Sequence, residues 1–176
     1  MIIKHLFAFI FLLFSSTFLA QEIMTLKDGR QIPATVQWDF ICENYALTGI
    51  SKIQISKNEK GGLLKITVNT TDPSFFIGGV TYVYLTDLTA LVCTDKNIRE
   101  NKDGQMTAWY SFTASEMSKL RTTNIESIRF NIRGAAKKFS SQTGNFTAIN
   151  KKAYFSVREN KPAKYDTASE IAALYQ

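Results

Sequence analysis

The side chains best placed to do chemistry in this chain are cations. Within residues 129–164 nine basic residues, Arg129, Arg133, Lys137, Lys138, Lys151, Lys152, Arg158, Lys161 and Lys164, stand against Glu159 alone. Phe139, Phe146, Tyr154, Phe155 and Tyr165 lie among them. Cations with interleaved rings suit an anionic polymer, held by charge and by stacking. The competing reading is a solvated face whose rings point into the core. Trp109 falls on the opposite strand parity from Tyr110 and Phe112. That makes it a candidate contact for a sugar ring or a partner protein, unless it packs beneath a helix or second sheet.

Other chemistries lack their residues. The single histidine is His5, in a segment that reads as an export signal. Without it the chain has no Ser-His-Asp or Cys-His system and no histidine-bound zinc or iron. Paired carboxylates could hydrolyse a glycosidic bond, and Asp39, Glu43, Asp87 and Asp95 are available. Nothing in their spacing brings two together, so a glycan hydrolase is the third choice. The loop Asp95–Gly104 offers oxygen ligands. It departs from the EF-hand pattern, with Arg99 at position 5 and Glu100 where glycine belongs, and its own cations repel calcium. No metal, cofactor or catalytic activity is expected. Cys42 and Cys93 are either a disulfide closing a loop of about 50 residues, worth roughly 3–4 kcal/mol, or two separate buried thiols.

Residues 1–20 carry the export pattern: Lys4 and His5, then an unbroken apolar run from Leu6 to Phe14, then Ala20 before Gln21. Phe18 departs from the small-x-small cleavage rule, and no cysteine is near for a lipid anchor. The Leu-Ala-Gln ending resembles that of export signals in Bacteroidota proteins. Removal leaves roughly 156 residues, one domain over 21–176, with a core that needs no metal. No later segment is long and apolar enough to span a bilayer as a helix. The 21 basic and 15 acidic residues of the whole chain are unevenly spread. Residues 21–95 hold six basic and eight acidic, and residues 96–176 hold fourteen and seven.

The elements that must position these groups read as strands. Ile32, Ala34, Val36, Trp38, Phe40 and Cys42 alternate as one long strand, with Pro33 marking an edge or bulge. Residues 51–56 and 64–68 form a hairpin. Residues 75–85 are apolar on both parities, which predicts a central strand covered on both faces, with Gly78-Gly79 as a bulge or turn. Strands follow at 89–93, 106–112 and 128–132, with short ones at 146–149 and 153–157. Thr113-Ala114-Ser115-Glu116 and Thr167-Ala168-Ser169-Glu170 are capping boxes that open helices at about 114–121 and 168–175.

The fold class is therefore all-β: an antiparallel sandwich or open barrel of about eight or nine strands with two short helices. The expected role is a secreted or periplasmic, non-catalytic envelope domain, binding or structural. Its partner would be an anionic glycan, lipopolysaccharide or an envelope protein, with nucleic acid disfavoured. The runner-up is a carrier of a small apolar ligand in the barrel interior.

Overall fold

One strand parity enters the core and the other meets water, so alternation sets both the strands and their register. The computed structural model describes residues 21–45, 47–134, 140–152 and 163–176. Its strands are β1 (Glu22–Thr25), β2 (Gln31–Ala34), β3 (Trp38–Ile41), β4 (Ile50–Asn58), β5 (Gly61–Asn69), β6 (Phe76–Ile77), β7 (Thr81–Leu85), β8 (Ala90–Cys93), β9 (Arg99–Lys102), β10 (Gln105–Thr113), β11 (Ile125–Arg133) and β12 (Gly144–Ile149). The helices are α1 (Ala114–Leu120) and α2 (Thr167–Ala173). Nine strands run in one antiparallel order, β8-β7-β11-β12-β3-β4-β5-β10-β9, curved into a half-barrel. The all-β expectation holds. The predicted strand at 153–157 and the signal at 1–20 lie outside the described residues.

The long hairpin β4–β5 and its neighbour β10 are the scaffold. They align without a break from Lys52↔Thr67 to Asn58↔Gly61 and from Gln105↔Asn69 to Thr113↔Gly61. Their inward side chains, Ile53, Ile55, Leu64, Ile66, Ala108, Tyr110 and Phe112, are buried. Helix α1 closes over them with Met117 and Leu120. Met117 packs its sulfur where a Cβ on Gly62 would stand, so Gly62 is a close-approach glycine.

Of three local expectations, two differ from what forms and one holds. The long strand 32–42 is two, because Thr35 leaves the ladder. Its amide donates to Ile55 O and its hydroxyl accepts from Ile55 N. That releases β2, with Pro33, to form an outer hairpin with β1. The segment 75–85 is interrupted at Gly78-Gly79, as expected. From Ile77↔Ile132 to Tyr82↔Arg129 it advances five residues against three on β11. The extra residues bulge at Gly78-Gly79, where Gly79 has φ +82° under the Arg133 guanidinium. Third, α2 is capped by Asp166, whose carboxylate accepts from Ser169 N. Thr167 is fully buried one residue inside. Its hydroxyl accepts from Ile125 N and donates to Asn124 Oδ1.

Cys42 and Cys93 are free and buried, which is the second of the two readings: separate thiols, with no disulfide. Cys42 follows β3 and Cys93 ends β8, strands four steps apart in the sheet. At about 4.8 Å per step the backbones are too far apart to bridge. Burial pushes the thiols up to about 11 for Cys42 and about 12 for Cys93.

Candidate binding face

The sequence-level cationic stretch divides in space. Arg129 and Arg133 lie on β11, whose other parity, Ile128, Phe130 and Ile132, is core. They are therefore exposed on the outside of the sheet. Lys151 follows β12 and is bound by Glu43 at 2.8 Å. Lys164 is bound by Glu126 at 2.7 Å. Lys152 sits 4.9 Å from the ring centre of Tyr165, itself stacked on Phe40. Lys137, Lys138, Arg158 and Lys161 lie outside the described residues. Of the interleaved rings, Phe146 is core and Tyr165 half-buried.

What the structure sets beside Arg129 is a pair of tyrosines. In register, Val92, Tyr82, Arg129 and Thr147 form one row across β8, β7, β11 and β12. The next row holds Ala90, Tyr84, Ser127 and Ile149. Tyr82 and Tyr84 have ring centres 6.3 Å apart and planes within 19°. Toward the other end, Arg133 Nε donates to Asn131 Oδ1 at 3.1 Å, and Asn131 Nδ2 donates to Asn145 Oδ1 at 3.2 Å. A depression of about 300 Å³ opens between Val80, Tyr82, Tyr84, Arg129 and Asn145.

The charge on this face is one-sided. Its outward residues on the four strands carry two arginines. The one carboxylate on these strands, Glu126, is at the end of β11 and is held by Lys164. Arg129 has no ion-pair or hydrogen-bond partner among the described residues. Some cations elsewhere are matched: Lys119 with Asp87 at 2.5 Å and Arg99 with Asp95 at 2.7 Å. The Lys119 ammonium and two hydrogen bonds from Thr89 hold the Asp87 carboxyl at about 2. Asp95 also accepts from Gly79 N and Asn97 N. These bonds hold its carboxyl below the usual range, although partial burial opposes them.

Reading 75–85 as covered on both faces hid Tyr82 and Tyr84. Tyr82 is 37% exposed and Tyr84 half-exposed. The available signal was their hydroxyls, on the parity opposite Thr81, Val83 and Leu85. Trp109 goes the other way. It does alternate outward, but the β1–β2 hairpin covers it, and it packs with Met24 and Ala34 at 4% exposure. Among the described residues no His/Cys/Asp/Glu group is arranged to hold a metal ion, and no helix is long and apolar enough to cross a membrane. Comparison with known proteins brings no matching family model, no similar curated protein and no similar solved structure.

Proposed function

We propose that the chain is an exported, non-catalytic binding domain of the cell envelope that holds an acidic glycan on the outward face of β7, β11 and β12. The observation that carries this reading is Arg129. Among the described residues it has no ion-pair partner; it stands beside two near-parallel tyrosine rings, and no free carboxylate on these strands competes for it. A sugar ring presents an apolar face to tyrosine and hydroxyls to asparagine, and its carboxylate or phosphate pairs with arginine. Asn131 and Asn145 supply the amides, already aligned with Arg133 by their own hydrogen bonds. The export pattern of residues 1–20 would deliver the domain to where such polymers occur.

The test is binding to polygalacturonate and to neutral dextran at low and high salt. The reading expects affinity for the acidic polymer only, weakening as salt screens the arginines. Charge-assisted bonds contribute about 1.5–3 kcal/mol, so Arg129→Ala should cost about tenfold or more in affinity. Equal binding of both polymers, or binding untouched by Arg129→Ala, contradicts it.

A further inference from the structure

A second groove is in the other half of the sheet. It measures about 670 Å³ and lies between the β1–β2 hairpin, the β4–β5 turn and β10. Sites for small organic ligands fall in the range of about 300–1,000 Å³. Its apolar surface comes from Leu26, Ile32, Leu63, Ile98 and Trp109. Ile98 is 40% exposed although apolar. The hairpin forms this wall because Thr35 diverts β2 off the ladder after a single bridge, Ala34↔Ser56, to β4.

Two further observations bear on what fills it. First, the indole Nε1–H of Trp109 is buried and has no hydrogen-bond acceptor among the described residues. An unmet buried donor costs about 1–3 kcal/mol, and an occupant whose carboxylate stays at the rim leaves this one unmet, so the head group is decided by the charge of the rim. Second, the rim is cationic after its internal pairing. Asp28 is occupied by Arg30 at 2.7 Å, and those hydrogen bonds hold its carboxyl below the usual range. Lys27 and Lys60 remain, with no ion-pair partner among the described residues, against Glu59 alone.

We propose that this groove binds a small free amphiphile with one apolar chain and one carboxylate. The chain lies on Leu26, Ile32, Leu63 and Ile98, and the carboxylate sits at the rim by Lys27 and Lys60. This site is separate from the glycan face and stands or falls independently of it. Each buried methylene adds about 0.8 kcal/mol, so chain length sets affinity and the lysines set the sign of the head.

Calorimetric titration of the full chain with laurate, below its micelle concentration, tests this. Dodecyltrimethylammonium serves as a cationic partner of equal chain length. The expected result is saturable one-to-one binding of laurate, at least tenfold tighter than the cation. Ile98→Asp and the double variant Lys27→Glu/Lys60→Glu should each lose tenfold or more. All of these are exposed or partly exposed positions, and thermal melting confirms that each variant folds. No laurate binding, non-saturating uptake, equal binding of the cation, or unchanged affinity in both folded variants overturns the proposal.

Discussion

Asn150 is fully buried and uses both ends of its amide. Its Nδ2 donates to Ile125 O at 2.9 Å and Tyr165 O at 3.0 Å, and its Oδ1 accepts from Tyr165 N at 2.8 Å. One side chain thus ties the start of β11, the end of β12 and the approach to α2 together. Asn150→Ala leaves three backbone groups without partners. We expect a loss of about 2–4 kcal/mol, from the usual cost of unmet buried groups, read by denaturant unfolding. The two thiols make a second prediction at this scale. Both remain unreactive toward a thiol reagent at pH 8 until the chain unfolds, and the intact mass shows no bridge. Burial raises both thiols in the folded state, so the unfolded chain ionises first. Stability is complete below about pH 9, the ordinary thiol value, and falls as pH climbs toward the folded values of about 11 and about 12. Cys93→Val should flatten that alkaline fall; an unchanged alkaline melting profile speaks against the assignment.

Capping separates the two helices that the repeated tetrapeptide makes look alike. At α1 the full box forms: Glu116 N donates to Thr113 Oγ1, and Thr113 N donates to Glu116 Oε2 at 2.7 Å. Thr113→Ala should cost about 1 kcal/mol. At α2 the same letters are put to other uses. Thr167 serves Ile125 N, and Glu170 Oε2 accepts from Trp38 Nε1 at 2.7 Å. Thr167→Val therefore exposes a buried N–H to loss of its partner and should cost more than Thr113→Ala, measured in the same unfolding series. Partial burial raises the Glu170 carboxyl, against the Trp38 hydrogen bond that lowers it. A carboxyl raised on folding favours the folded chain at low pH, and this contribution fades as the group ionises. Glu170→Gln keeps an acceptor for Trp38 without that charge, so its melting temperature should vary less with pH across the carboxylate range.

The same contrast explains what was legible in the sequence. Periodicity marked β4, β5, β10, β11 and β12, because their inward parity is a core requirement. It could not mark β9, Arg99–Lys102, an exposed polar edge strand joined to β10 through Asp103-Gly104, both with positive φ. Nor could it divide residues 32–42. The break rests on the Thr35 hydroxyl replacing a ladder partner, a long-range bond that leaves alternation intact. Arg129 and Arg133 were legible as cations, but Tyr82 and Tyr84 were not legible as their neighbours. That adjacency exists only through the β7–β11 pairing, more than 40 positions apart in the chain.

For the whole molecule, the uneven charge of the two halves of the chain resolves into matched and unmatched places. Lys119, Lys151 and Lys164 each meet a carboxylate. Exposed pairs of this kind contribute little to stability, at most about 1 kcal/mol each, but they remove those cations from the set free to bind a polymer. What remains on the outward face of β7, β11 and β12 is Arg129, with Arg133 beside the amides of Asn131 and Asn145. The most direct measurement of the central claim is a titration of the isotope-labelled protein with a galacturonate oligosaccharide, following backbone and arginine side-chain NMR signals. The account predicts shifts concentrated at Tyr82, Tyr84, Arg129, Asn131 and Asn145, reversed by salt and lost in Arg129→Ala. Shifts centred elsewhere on the sheet, or none at saturating sugar, would contradict it.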